Sequence, residues 1–197
     1  MWVLGIDACL GHCSVAVLSG DDVVAGRSEA MARGHVERLA PMVSEVLAQA
    51  GIPAESLDLI GVTCGPGGFT GARLGAAFAR GLALASGARA VGVTTLEALA
   101  FPHAHTPLIV ALDGRRGDLF VQAFGAGESA PQAIGVNTLA IYAAHYGTPR
   151  ILGPSAVPPI KAAHVAQLAM RSDQGESPRP LYLRAADAKA AARPVLR

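Results

Sequence analysis

The chain has 197 residues, 51% of them hydrophobic, 16% charged and 5% aromatic, with 16 Lys+Arg against 15 Asp+Glu. So apolar and nearly neutral a composition excludes a disordered or low-complexity chain, and three cysteines are too few to staple a fold. Alanine accounts for 39 residues, which spreads the apolarity over small side chains and predicts close backbone approach in helix packing.

Mean hydropathy is positive, yet the longest stretch without Asp, Glu, Lys or Arg, residues 129–149, contains Pro131, Gln132, Asn137, His145 and Pro149 and cannot be a bilayer span. No Lys or Arg precedes Arg27, and Asp7 interrupts the first apolar run, so no signal peptide is expected. With the odd cysteine count, this favours a reducing cytoplasm. Charge is uneven. Residues 179–197 carry Arg179, Arg184, Lys189, Arg193 and Arg197 against Asp187, making the tail +4 and the remainder −3; a solvated terminus is expected there ahead of an RNA or partner contact.

Trp2–Asp7 is an apolar run ending on an acid, Cys13–Ser19 alternates, and Val23–Arg27 follows the turn at 20–22, which predicts a three-strand meander. From Val36 to Ala50 apolar residues recur at three- and four-residue steps and Gly51 closes the pattern, an amphipathic helix with a glycine stop. A buried strand over 57–63, the loop Gly65-Pro66-Gly67-Gly68-Phe69-Thr70-Gly71, a helix over 71–86, a strand over 88–93 and a short helix over 94–100 follow. The segment 101–107, with two prolines and no period, marks a lobe boundary. The pattern then restarts: strands over 108–113, 118–124 and 132–136, a helix over 138–146, a strand at 151–152 and a helix over 160–170. Val3-Leu4-Gly5-Ile6-Asp7 and Ile109-Val110-Ala111-Leu112-Asp113 share a strand-to-acid ending, a weak repeat that suggests two related lobes.

The glycine loop matches neither a Walker A loop, since Gly71 is followed by Ala72-Arg73, nor G-x-G-x-x-G, since Thr70 holds the sixth position. An anion site at the helix N-terminus and a tight turn for close helix packing both stay open. In the following helix Gly71, Gly75 and Ala79 form a ridge of small side chains and almost no polar face remains. Such a helix must be covered on more than one side, by its own domain or by a second chain. Cys9, His12 and Cys13 lack a fourth ligand for a metal, and Cys64 lacks a His-Asp pair that would make it a nucleophile. Asp7 and Asp113 are the acids placed where a nucleotide-metal site could be built, unless each simply caps its turn.

Gly5-Ile6-Asp7 with Ser14-Val15-Ala16-Val17, His35-Val36-Glu37-Arg38-Leu39-Ala40-Pro41-Met42, the run from Gly65 to Gly75, Asp113-Gly114-Arg115-Arg116 and Pro180-Leu181-Tyr182-Leu183-Arg184 together resemble the bacterial TsaB (YeaZ) family over nearly the whole chain. The resemblance implies an α/β, two-lobed actin-like, sugar kinase and Hsp70 (ASKHA, ribonuclease H-like) fold with a shortened second lobe. It implies an N-terminal lobe over 1–104 carrying the glycine loop and dimerisation helices, and a C-terminal lobe over 105–197 with the basic tail. The implied role is a non-catalytic scaffold subunit, required with the catalytic subunit TsaD and the ATPase TsaE for making threonylcarbamoyladenosine next to the anticodon of tRNAs that read codons beginning with A.

In the related TsaD a His-x-x-x-His metal site follows the strand after the glycine helix; here Thr95 and Leu99 stand at those positions. Neither makes a useful metal ligand, so no metal site is expected. The resemblance also implies pairing with TsaD through the first-lobe helices, with Leu39, Val43, Val46, Leu47, Arg73, Ala77 and Arg80 as interface candidates, homodimers in isolation, and tRNA reached mainly through the complex. Asp7, Gly67, Gly68 and Asp113 are candidates for a weak, vestigial nucleotide site, and no other cofactor or membrane partner is expected. The competing readings are a nucleotide-binding phosphotransferase or ATPase of the same fold and, least favoured, a glycoprotease-type peptidase.

Overall fold

The structure is a computed structural model in which residues 1–125, 127, 129–147, 149–155, 157–172 and 177–184 are described. β1 (Trp2–Asp7), β2 (His12–Ser19) and β3 (Asp22–Ala30) form the expected meander. β3 runs three residues past the alternating segment because Ser28, Glu29 and Ala30 keep backbone pairing with Ser14, Cys13 and His12. Then come α1 (His35–Ala50), β4 (Leu59–Thr63), α2 (Phe69–Ser86), β5 (Arg89–Val93) and α3 (Thr95–Ala100). α1 stops at Gly51, φ 70°, and α2 at Gly87, φ 81°, whose N–H donates to the Ala83 carbonyl at 2.9 Å. Only glycine enters that left-handed conformation without cost, so the chain leaves both helices where the sequence places glycine. α3 starts on a reciprocal cap: the Glu97 N–H donates to Thr94 Oγ1 at 3.0 Å and the Thr94 N–H to Glu97 Oε2 at 2.8 Å.

The second half repeats the arrangement with β6 (Leu108–Arg115), β7 (Asp118–Phe124), β8 (Gln132–Gly135), α4 (Leu139–His145), β9 (Arg150–Leu152) and α5 (Ala162–Arg171). The first sheet has the order β3-β2-β1-β4-β5 and the second β8-β7-β6-β9, each an antiparallel meander with a parallel strand added beside its first strand. The strand-to-acid repeat is thus a topological one. Among the described residues no helix is long and apolar enough to cross a membrane.

One face of the first sheet buries Leu4, Ile6, Val15 and Val17 against Leu39, Met42, Val43 and Val46 of α1 and Ala76 and Ala79 of α2. The other face joins Val3, Leu18 and Leu59 to Leu96 and Leu99 of α3, Val165 and Ala169 of α5, and Leu108, Val110 and Leu112 of β6, so one apolar core runs through both halves. α5 comes from the second half of the chain but packs on β1, β2 and β4. A cut between residues 104 and 105 therefore divides the sequence without dividing the packing. The close contact is built from small residues: Gly5 and Gly61 are paired in register on β1 and β4, and a Cβ on either would reach 1.9 Å from the Ala162 carbonyl oxygen or 2.7 Å from the Ala169 Cβ. Here the alanine-rich composition serves close backbone approach within the chain.

On the outside of β3 and α1, Arg38 donates to Glu29 at 2.6 and 2.7 Å and to Glu45 at 2.8 Å, while Arg27 pairs with both acids. The Arg38 hydrogen bonds hold Glu45 down to about 2 and Glu29 below the usual carboxylate range. Because the network is at the surface, Arg38→Gln is expected to lower the thermal midpoint only slightly at low ionic strength. That difference should close in about 1 M salt, where screening acts over roughly 3 Å; an unchanged difference across a salt series would show that the contribution is packing instead.

Candidate functional site

β1 and β6 both end at the crevice between the two halves, but their acids have opposite fates. Asp7 is fully buried: Oδ1 accepts from Thr63 Oγ1 at 2.6 Å and from the Cys9 N–H at 3.1 Å, and Oδ2 has no partner among the described residues. Burial pushes the Asp7 carboxyl up to about 6, against the pull of Thr63, Cys9, His35 and His12. Asp113 is exposed, and its Oδ1 accepts from the Arg115 N–H at 2.8 Å.

The glycine loop is pressed onto the β1–β2 connection. The Gly68 N–H donates to the Cys9 carbonyl at 2.7 Å, a Cβ on Gly67 would lie 2.7 Å from the same oxygen, and one on Gly71 would lie 1.8 Å from the Ala8 oxygen. Of the two readings left open by the loop sequence, the tight-packing one describes this geometry. The ridge of Gly71, Gly75 and Ala79 is likewise buried, and a Cβ on Gly75 would lie 3.1 Å from Val62 Cγ2. This corrects the expectation that the ridge could be surface for another chain: small residues are needed there because α2 crosses its own sheet at backbone distance.

A second close approach comes from the far end of the described chain. The Leu181 N–H donates to the Cys64 carbonyl at 2.8 Å, Tyr182 lies 5.6 Å from Phe69 between ring centres, and Arg184 pairs with Asp118 and donates to the Arg115 carbonyl at 3.0 Å. Arg73 completes the stack: its guanidinium sits 3.5 Å above the Phe69 ring, and Nε donates to Tyr182 Oη at 2.5 Å. The residues 180–184 thus form a strap over the glycine loop, enclosing a hollow of about 400 Å³ between loop, strap and the β6–β7 turn. Of the basic tail, Arg179 and Arg184 are described; Lys189, Arg193, Arg197 and Asp187 lie outside the described residues. The strap's role was missed by sequence reasoning, although Pro180–Arg184 was visible as a motif, because pairing across more than 60 residues has no local signature.

Adjoining this hollow, and sharing Gly67, Phe69, Asp113 and Arg115 with it, a cleft of about 680 Å³ is bordered by Ala8–His12, His35, Gly67–Gly71, Asp113 and Arg115. It brings together Gly67, Gly68 and Asp113 of the nucleotide-site candidates; Asp7 does not line it, being sealed behind the β1–β2 connection. A metal-nucleotide needs carboxylates that reach the ion and free amides on the phosphates. With Asp7 enclosed, Asp113 holding its own turn and the Gly68 amide committed to Cys9, these residues do not fit one.

Cys9 is pushed up to about 12 and Cys13 and Cys64 to about 11, by burial first in each case, so none is a thiolate near neutral pH. Among the described residues no three His, Cys, Asp or Glu side chains converge to hold a metal.

The seven interface candidates fall into two groups. Leu39, Val43, Val46 and Leu47 are buried against the chain's own sheet and, as folded, cannot meet a second chain; they are corrected to core positions, because the apolar stripe of α1 is the one that faces inward. Arg73, Ala77 and Arg80 are exposed on α2, next to Leu84, which is 89% exposed.

The fold and the strapped glycine loop define a two-lobed α/β protein of the actin and sugar-kinase type. It superposes on YeaZ from Pseudomonas aeruginosa with a TM-score of 0.75 at 23% identity, covering 92% of this chain and 99% of that one. A family model described as TsaD, tRNA N6-adenosine threonylcarbamoyltransferase, matches residues 28–136, more than half of the chain. The tRNA threonylcarbamoyladenosine biosynthesis protein TsaB of Escherichia coli is 35% identical over 61% of this chain and 53% of its own length. An uncharacterized protein of Mycobacterium leprae is 31% identical over 95% of this chain and 56% of its own length. The chain belongs to the family that the matched model describes, and curated relatives at 31–35% identity are TsaB proteins. It spans about half the length of the curated relatives it matches.

Proposed function

We propose that this chain is a non-catalytic subunit of the machinery that makes threonylcarbamoyladenosine in tRNA, pairing with TsaD through the outer face of α2 and working together with TsaE. The observation that carries the reading is that outer face: Ala77, Arg80, Gly81 and Leu84 are exposed side by side on an 18-residue helix whose inner face is already spent on the sheet. An apolar side chain as exposed as Leu84, flanked by small residues that admit a close neighbour, suits a partner helix. Further support comes from Thr95 and Leu99, which occupy the positions of TsaD's implied metal ligands and are buried in the core. The Escherichia coli relative, named for biosynthesis of the same modified nucleoside, points the same way.

The test is co-expression with the organism's own TsaD, followed by size-exclusion chromatography and a modification assay with and without this chain. Ala77→Glu and Leu84→Glu are expected to weaken association by at least tenfold, on the order of the 1–3 kcal/mol that a buried contact residue contributes. Both variants should melt as the parent does, since their side chains are exposed. Val43→Glu places a charge in the core and should unfold the chain, so it does not report on the interface. Undiminished association of both α2 variants would remove the interface assignment. Full-rate modification by TsaD and TsaE without this chain would remove the subunit role, and threonylcarbamoyl transfer by this chain alone would make it an enzyme.

A further inference from the structure

The exposed stripe of α2 does not begin at Ala77. Steps of three and four residues carry it from Leu84 through Arg80, Ala77 and Arg73 back to Phe69, a length of about 22 Å at ~1.5 Å per residue. Phe69 at one end is 57% exposed and Leu84 at the other 89%. At the Phe69 end a second element joins the helix. Tyr182, brought there by the strap, lies 5.6 Å from Phe69 between ring centres and is itself 48% exposed.

Arg73 fixes this junction. Its guanidinium sits 3.5 Å above the Phe69 ring while Nε donates to Tyr182 Oη. An arginine held in this way has already lost much of the side-chain freedom that an interface would otherwise cost it. The strap is pinned on both sides of Tyr182, by the Leu181 N–H on the Cys64 carbonyl and by Arg184 on Asp118, so the ring is presented on a firm support. Ordered aromatic rings and arginines are the residue types that carry most of the energy of protein interfaces. Yet neither Arg73 nor Arg80 is paired with a carboxylate among the described residues, and α2 itself contains no Asp or Glu.

We infer that the strap is part of the pairing face: Phe69, Arg73 and Tyr182 extend the α2 stripe, and the partner helix that covers it carries carboxylates opposite Arg73 and Arg80. A second copy of this chain does not supply them. Two α2 faces brought together would set the arginines of both against each other with no acid on either helix. An acid-bearing helix of TsaD neutralises both arginines and covers the two rings. The inference rests on the pairing of α2 with TsaD and adds what that partner must present and which part of the second half touches it.

The full chain is titrated by calorimetry with the organism's own TsaD at about 0.1 M and about 1 M salt, where the screening lengths are roughly 10 and 3 Å. Tyr182→Ala is expected to weaken association about tenfold, and Arg80→Glu by at least about as much at the lower salt. Both side chains are exposed, so both variants should melt as the parent does. Tyr182→Phe keeps the ring and should recover most of the loss. Arg80→Gln should lose affinity at the lower salt and respond less to added salt than the parent. Leu84→Glu is the reference for the α2 reading itself. If it weakens association while Tyr182→Ala or Arg80→Glu leaves it unchanged, the inference is overturned with the α2 reading intact; if Leu84→Glu has no effect, both fall together. A chain that dimerises by itself and becomes monomeric on Tyr182→Ala has a second copy on this face, which also overturns the inference.

Discussion

Replacing Gly71 by alanine is expected to destabilise the chain by more than about 3 kcal/mol, a large fraction of the about 5–15 kcal/mol that holds a domain folded. The added Cβ would sit 1.8 Å from the Ala8 carbonyl oxygen and 2.9 Å from its carbon. Backbone on the facing loop cannot swing aside as a side chain would. To relieve the clash α2 must lift from β1, which opens the contacts of Ala72, Ala76 and Ala79 with the sheet and strains the Gly68–Cys9 hydrogen bond. Gly81, ten residues along the same helix, is the control: nothing lies within 4 Å of its Cβ position, so Gly81→Ala is expected to stabilise by about 0.5–1 kcal/mol through helix propensity. Urea denaturation of the two variants should give shifts of opposite sign. A Gly71→Ala chain as stable as the parent would mean that the loop and the β1–β2 connection are not in contact.

The second large effect concerns Asp7 and pH. Its carboxyl titrates near 6 in the folded chain against an ordinary 3.8. The folded state therefore binds the proton more tightly than the unfolded state. The stabilisation is fully present below about pH 3.8 and is lost as pH rises through about 6, a difference of about 3 kcal/mol. Asp7→Asn keeps an oxygen for Thr63 and Cys9 and removes the buried charge. At pH 7.5 the variant is expected to be more stable than the parent by about 1–3 kcal/mol, reduced from the full amount by the unpartnered amide where Oδ2 stood. Near pH 4 the advantage should vanish. Taking the difference between the two chains at each pH isolates Asp7 from Glu29 and Glu45, whose lowered titration makes stability fall on acidification instead. A difference that stays constant from pH 4 to 7.5 would show that Asp7 does not change its charge on folding over that range.

Much of the fold was legible because the patterns that announce it are local. Alternation marked β2, a three- and four-residue period marked α1, and the glycines after residues 50 and 86 marked the two helix ends. The repeated strand-to-acid ending foretold two sheets of like topology. The site was legible only in pieces. The run from Gly65 to Gly75 stood out in the sequence, yet its composition alone left an anion cradle and a packing device equally open. The distinction rests on where the Ala8 and Cys9 carbonyls lie. Leu39, Val43, Val46 and Leu47 misled in the same way, since an apolar helix stripe says that something covers it and not what.

By itself, then, the sequence determined the elements, their order, the two-sheet plan and the family, since each of these depends on neighbours within a few residues or on short motifs. The tertiary structure alone decided three things: that α5 returns to the first sheet over Gly5 and Gly61, that Asp7 is enclosed while Asp113 is open, and that residues 180–184 bring Tyr182 and Arg184 to Phe69, Arg73 and Arg115. The physical reason is the same in each case. These contacts join residues 56 to more than 150 positions apart, and only packing against a common sheet sets which small residue admits a backbone and which carboxylate loses its water.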